Sequence, residues 1–150
     1  MSDEKGGGFF VGPIGPIPIA SDDDPRRAAA RAASRVAQAA VDCHDLIALV
    51  LNHTDAMVRE EAVPRLKARF PNDTGAQEAL MHAVADDDEA VRCAAVSAVA
   101  DLALPLAGDL LATALHDTEP DVRFFAAMGL QQLGDARAPD DPEAFAYRHT

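Results

Sequence analysis

The sequence predicts an all-α protein, arranged as a short α-solenoid of about three stacked helical hairpins with an N-terminal capping helix. The first observation behind this prediction is a turn followed by a Val-Arg pair, which occurs at Val58-Arg59, Val91-Arg92 and Val122-Arg123. The pairs lie 33 and 31 residues apart, a period that is typical of stacked helical hairpins. The second observation is the composition, because many small aliphatic residues, one Tyr and no Trp favour closely packed helices over a bulky sheet core.

Charge and cysteine usage limit the classes of function. The formal net charge is −12, whereas nucleic-acid binding needs a basic stripe, so we predict no nucleic-acid partner and a disposition toward basic partners. No apolar run approaches the roughly 20 residues that cross a bilayer, so we predict no membrane partner. Cys43 and Cys93 lie in predicted helices and have neither CxxC nor zinc spacing, which predicts reduced thiols and a cytoplasmic location.

Residues 1–24 are predicted to form an extended, polyproline-like arm. The Pro and Gly residues between Phe9 and Ile19 exclude a helix and a central strand in this run. The arm is either a disordered tail or a segment that places its large apolar side chains on its own domain or in a partner's groove. Its candidate contact residues are Phe9, Phe10, Ile14 and Ile17.

The capping helix is predicted to start within 21–25 and to run to about Val41. Acidic residues can cap its start, and Pro25 suits the first helical position. Such an Ala-rich helix needs a neighbour for stability, so we expect it to pack on the stack. The face expected to make this contact contains Ala29, Ala33, Val36 and Ala40.

Helix breakers and capping residues separate the hairpins that follow. The predicted starts are Asp73-Thr74 and Gly108-Asp109, and the predicted ends are at Pro71, Pro105 and Gly134. Residues 138–150 are predicted to be an acidic, loosely ordered tail. Its Phe145 and Tyr147 either fold back over the last hairpin or leave it open.

The turns also share an acidic position, six residues before the repeated Arg. The pairs are Asp86 with Arg92 and Asp117 with Arg123, while His53 takes the acidic place before Arg59. Together with the ending Leu133 to Ala138, this pattern resembles the HEAT-repeat superfamily, in its short bacterial form related to the phycobilin-lyase HEAT-like repeats. The resemblance covers about residues 45–137 and implies HEAT-like hairpins within a solenoid at 25–137.

The repeated polar residues are predicted to hold the repeats together. An Asp can cap a helix, and an Arg can bind a neighbouring turn through two parallel hydrogen bonds. We therefore assign structural contacts between repeats to Arg59, Arg92, Arg123, Asp86 and Asp117.

The resemblance implies that the second helix of each hairpin lines a concave groove, at positions one and five after the Arg. Phe124, Phe125 and Met128 would form an apolar patch there that is too large for routine exposure, unless the tail covers it. The turns would add an acidic rim. The remaining groove and rim candidates are Glu60, Pro64, Cys93, Ser97, Asp55, Asp86, Asp87, Asp88, Glu89, Asp117, Glu119 and Asp121.

No residue pattern predicts catalysis or a cofactor. The sequence contains no HxxxH, HExxH or GxSxG motif of the kind that builds metal or nucleophile sites. The favoured hypothesis is therefore a small non-enzymatic adaptor or scaffold that binds a basic or amphipathic segment of another protein in its groove. The alternatives are a cofactor-handling enzyme or chaperone of the bilin-lyase kind, as the resemblance implies, and an obligate subunit of a larger assembly.

Overall fold

The computed structural model describes residues 11–12, 15–16 and 24–148, and these residues contain eight α-helices and one pair of short strands. Strands β1 (Val11–Gly12) and β2 (Gly15–Pro16) pair antiparallel; the rest of the predicted arm, with Phe9, Phe10, Ile14 and Ile17, lies outside the described residues. The helices are α1 Pro25–Ala39, α2 Cys43–Asn52, α3 Ala56–Arg69, α4 Thr74–Ala83, α5 Glu89–Asp101, α6 Ala107–Ala114, α7 Pro120–Leu133 and α8 Pro142–Tyr147.

The helices form two layers. Helices α1, α3, α5 and α7 pack side by side in chain order and are called the inner layer, which α8 continues beyond α7. Helices α2, α4 and α6 form the second layer, where α2 packs on α3 and α4, α4 on α5, and α6 on α5 and α7. The predicted all-α fold class, a short helical solenoid, is confirmed. No described helix is long and apolar enough to cross a membrane.

Small residues bring the inner-layer helices close together. Ala33 and Ala37 of α1 are buried, as is Ala40 just beyond its end, so α1 packs on α3 through the residues with the smallest side chains. The expected contact face was partly wrong, because Ala29 is exposed and Val36 is 40% exposed. Residues 33, 37 and 40 follow the i, i+4, i+7 spacing of one helical face, and this face differs from the predicted one because it contains Ala37 and excludes Val36.

The core consists of aliphatic side chains from both layers. Leu46, Leu66 and Leu80 are fully buried in one cluster, and Leu111 and Leu130 are fully buried in a second. Burial of each such side chain contributes about 1.5–3 kcal/mol. These clusters fix the distance and orientation between successive inner helices, on whose opposite face the candidate site lies.

Aspartates start most of these helices. Asp42, Asp55, Asp73 and Asp88 each accept a backbone hydrogen bond in the first turn of the helix that follows, which supplies partners for otherwise free N–H groups. The predicted start at Gly108-Asp109 was late, because α6 begins at Ala107 without a side-chain cap. Gly134 ends α7 at a φ of 70°, as predicted.

The C-terminal residues are more ordered than expected. The prediction of a loosely ordered tail was wrong, since Asp141 caps α8 by accepting from the Ala144 N–H at 3.1 Å. Ala146 is fully buried against the last repeat, and Phe145 packs beside the second core cluster. Helix α8 therefore covers the end of the stack.

Candidate partner-binding groove

The exposed face of the inner layer contains a depression of about 600 Å³ across α3, α5 and α7. A second depression of about 240 Å³ continues from it between α3 and α5, and the two share Glu60, Ala94 and Ser97. We call both together the inner groove. The larger part is lined by Glu60, Asp88, Glu89, Ala90, Cys93, Ala94, Ser97, Asp121 and Phe125, and Pro64 and Lys67 are among the residues that line the smaller part.

The inner groove brings together eight of the candidates that were named from the sequence. The repeat spacing places equivalent positions of successive inner helices side by side, as with Glu60 and Cys93, which each follow the repeated Arg by one residue. In α7 the groove is lined by Phe125, one residue beyond the equivalent Phe124. Ala90, Ala94 and Lys67 were not identified from the sequence, although their spacing of three or four residues from predicted positions places them on the same helical faces.

The three predicted apolar residues of α7 have different surroundings. The ring of Phe124 lies 5.8 Å from that of Tyr147 in α8 and 5.5 Å from that of Phe125, centroid to centroid. Phe125 and Met128 remain 40% and 45% exposed. The tail therefore covers Phe124 and leaves the other two side chains open, which resolves the alternatives that the sequence left.

Two of the groove carboxyls have raised pKa values. For Glu60 the largest cause is burial, followed by repulsion from Asp88. For Glu89 the largest cause is repulsion from Glu119, whose carboxyl lies close enough for a hydrogen bond. Both shifts show that negative charge is crowded at this face.

Cys93 lies at the centre of the inner groove, but it is a poor nucleophile. Burial, reinforced by repulsion from Asp121 and Glu89, raises its pKa to about 11, and the opposing effect of the neighbouring Arg92 is smaller. Since the thiolate is the reactive form of cysteine, almost all of Cys93 is the unreactive thiol at neutral pH.

The repeated arginines connect successive turns along one edge of the stack. Arg59 donates from Nε and Nη2 to the two carboxylate oxygens of Asp86, at 3.0 and 3.1 Å. Arg92 does the same with Asp117, at 2.9 and 3.1 Å. Arg123 has no following turn to bind and instead donates from Nη2 to the Ala146 carbonyl in α8, at 2.7 Å.

His53 takes over one function of the missing aspartate. Its Nδ1 accepts a hydrogen bond from the Asp55 N–H at 3.0 Å, as Asp86 accepts from the Asp88 N–H at 2.9 Å and Asp117 from the Glu119 N–H at 2.9 Å. The turn before α3 therefore has the same local hydrogen bond as the other two turns, although His stands at its acidic position.

Not all predicted rim residues face the inner groove. Asp86 and Asp117 are occupied by the arginine contacts, and Asp87 lies with Asp86 on depressions at the edge of the turns. The larger of these measures about 680 Å³ and lies between α4 and α6, where Met81, Val84 and Leu110 line it. This outer depression was not foreseen, because a sequence period does not show where two neighbouring helices diverge.

Three neighbouring residues at the start of α2 have side chains of the types that bind metal ions. Within 24–148, Asp42, His44 and Asp45 are the residues whose ligand atoms lie within 4.8 Å of one another, and all three are exposed. Asp42 is already used as the cap of α2, where it accepts from the Asp45 N–H at 2.8 Å. A helix N-terminus favours anions over cations, so the arrangement is that of a helix cap.

Residues 77–144 match the family model for HEAT repeats, which supports the predicted resemblance to the HEAT-repeat superfamily. The match covers the whole of α5, α6 and α7. The contact between Arg59 and Asp86 extends the same repeat pattern to α2 and α3. HEAT repeats generally mediate protein–protein interaction. No curated protein matches the sequence, so the nearer likeness to the phycobilin-lyase repeats stays a prediction.

Proposed function

We propose that the protein is a small non-enzymatic adaptor or scaffold, which holds a segment of another protein in the inner groove. The observation that carries this proposal is the lining of the groove, where the exposed ring of Phe125 from α7 adjoins carboxylates from three inner helices, with the exposed Met128 about one turn further along α7. An apolar centre with a charged rim is typical of protein-binding surfaces. The high pKa of Cys93 supports a binding role over nucleophilic catalysis.

The cellular setting belongs to the same proposal. Cys43 and Cys93 are both free thiols, and reduced cysteines are usual in the cytoplasm. We therefore place the adaptor in that compartment, where its acidic surface favours basic or amphipathic partners.

The test compares partner capture by two double variants. Phe125→Ala with Met128→Ala removes apolar surface from the inner groove and its continuation on α7. Leu51→Ala with Leu106→Ala removes comparably exposed side chains, at 38% and 55%, outside the lining of the groove. We expect the groove variant to lose a partner captured stoichiometrically by the native protein, with helical circular dichroism unchanged, and the control to keep it. Equal capture by both variants would contradict the proposal.

A further inference from the structure

The larger part of the inner groove is rich in carboxylates. Its carboxylates come from three successive inner helices: Glu60 of α3, Asp88 and Glu89 at the start of α5, and Asp121 at the start of α7. Glu119 adjoins them, because its carboxyl lies within hydrogen-bonding distance of Glu89. Within residues 24–148, none of these five forms an ion pair with Lys or Arg, although other Asp and Glu residues do. Arg59 attracts Asp88 and Arg92 attracts Glu119 without forming an ion pair. An excess of negative charge therefore remains on the face that also has exposed apolar side chains.

Some of these carboxylates accept hydrogen bonds from neutral groups, which do not neutralise their charge. Asp88 accepts from the N–H groups of Ala90 and Val91, and Asp121 accepts from the Tyr147 hydroxyl at 2.6 Å. Glu60 and Glu89 are raised in pKa by neighbouring acids and by burial. A cation from a partner would relieve this repulsion, and such complementarity gives specificity and faster association.

The dimensions of the inner groove favour side chains of an extended segment over a whole helix. About 600 Å³ lies within the range of pockets that enclose small molecules, whereas a helix with its side chains is about 10–12 Å across. An Arg or Lys stem could lie along Phe125 and Ala94 with its charged end among the carboxylates, since long basic side chains commonly bury their stems in this way.

The spacing between the acidic positions also fits an extended chain. Neighbouring packed helices lie about 8–10 Å apart. We therefore expect the acidic pair Glu60 and Asp88 to lie roughly that far from the acidic pair Glu89 and Asp121. A polyproline II segment has three residues per turn and rises about 3.1 Å per residue, which places every third side chain on one face about 9 Å apart.

We propose that the occupant of the inner groove is an extended segment of another protein with Arg or Lys at every third residue, one basic side chain at Glu60 and Asp88 and the next at Glu89, Glu119 and Asp121. This inference rests on the proposed adaptor function and specifies its partner. The apolar residues between the basic ones contact Phe125 and Met128.

The probe is a fluorescein-labelled peptide, Arg-Pro-Leu-Arg-Pro-Leu-Arg, titrated with the full-length protein and followed by fluorescence anisotropy. One comparison peptide replaces each Arg with neutral citrulline, and a second has the same composition with the three Arg residues contiguous. We expect the citrulline peptide to bind at least tenfold more weakly and the contiguous peptide severalfold more weakly. Binding of the first peptide should weaken between about 20 and 150 mM salt, because exposed charges are screened.

Protein variants then locate the contact. Glu89→Gln with Glu119→Gln is expected to weaken binding about fivefold or more. The control, Glu78→Gln with Asp140→Asn, makes the same change in net charge at exposed positions outside the groove lining and should change affinity less than twofold. No binding at about 1 mM, or equal loss in both variants, would overturn the inference. If the Phe125 and Met128 variant still loses its native partner in that case, the adaptor function stands and only the partner chemistry is wrong.

Discussion

Arg92 of α5 and Asp117 of the next turn form a two-point contact, with Nε to Oδ2 at 2.9 Å and Nη2 to Oδ1 at 3.1 Å. The remaining nitrogen, Nη1, donates to the backbone carbonyls of Asp86 and Asp87. One guanidinium therefore joins two successive turns. Only 15% and 14% of the two side chains are exposed, so solvent screens the pair less than an ordinary surface ion pair.

Breaking this contact should destabilise the stack. Arg92→Met leaves Asp117 partly buried without its cation, and hydrogen bonds to charged groups contribute roughly 1.5–3 kcal/mol each, so we expect a loss of about 2 kcal/mol in the free energy of unfolding. Asp117→Asn keeps an oxygen for the Glu119 N–H but removes the charge. In a double-mutant cycle measured by urea unfolding, the two changes should be coupled by at least about 1 kcal/mol.

The matched control for this cycle is the ion pair of Arg137 with Asp109, at 3.0 Å, whose side chains are 48% and 75% exposed. Coupling between Arg137→Met and Asp109→Asn should remain below about 1 kcal/mol. If the exposed pair proved as strongly coupled as Arg92 with Asp117, the arginine contacts would not be the connection between repeats that their geometry indicates.

The Arg92 contact also shows why so much of the fold could be predicted. The spacing of Arg59, Arg92 and Arg123 follows from one helical hairpin per repeat, so a one-dimensional period determines which turns lie side by side. The same argument brought Glu60 and Cys93 to one face. Local rules also predicted the helix starts at Pro25 and at Asp73-Thr74, because capping depends on residues that are near in sequence.

The repeat spacing in the sequence could not predict features that depend on the ends of the helical stack. Helix α8 is only six residues long, and its stability comes from packing on α7 rather than from helix propensity. Its Tyr147 covers Phe124 and not Phe125, a distinction between adjacent residues that depends on where one short helix docks. The outer depression between α4 and α6 likewise depends on how far two helices diverge.

The contact between Tyr147 and Asp121 predicts an unusual phenol titration. Hydrogen bonding to the Asp121 carboxylate, followed by burial, raises the pKa of Tyr147 to about 12. Tyr147 is the one tyrosine of the chain, and the sequence has no Trp, so phenolate absorbance reports on it alone. Asp121→Asn should bring the pKa back toward 10.

The control for the phenol titration is Glu143→Gln, since Glu143 is a minor cause of the shift. This variant should still titrate near 12. If the native protein titrated near 10, α8 would not hold Tyr147 against α7 in solution, and Phe124 would be uncovered.

Glu60 should reduce the stability of the fold at neutral pH. Its pKa is raised by burial and by repulsion from Asp88, so the charged form is less favourable in the folded state than in the unfolded chain. At a pH above the pKa of Glu60 in both the folded and the unfolded state, Glu60→Gln should therefore raise the melting temperature. The advantage should shrink as the pH falls through the raised folded pKa and vanish well below 4.5, its ordinary value, where native Glu60 is neutral in both states.

The comparison for Glu60 is Glu78→Gln on α4, an exposed position outside the inner groove. It should change the melting temperature little at any pH, because surface substitutions away from specific contacts are usually within about 0.5 kcal/mol of neutral. A Glu60→Gln variant that is less stable than the native protein at pH 7 would contradict the account. Stability given up at Glu60 is consistent with a carboxylate retained for binding.

Alkylation of Cys93 should report on the inner groove directly. In a Cys43→Ser variant, the rate of reaction with iodoacetamide should rise with pH toward a midpoint near 11, and at pH 8 only about one thiol in a thousand is then the reactive thiolate. High salt should move the midpoint little, because burial is the largest cause of the shift and is not screened by ions. The Arg-Pro-Leu-Arg-Pro-Leu-Arg peptide should slow the reaction further, while its citrulline counterpart should not. A midpoint near 9.0, the ordinary thiol value, would show that Cys93 is open to water and that the packing between α5 and α7 is looser than described.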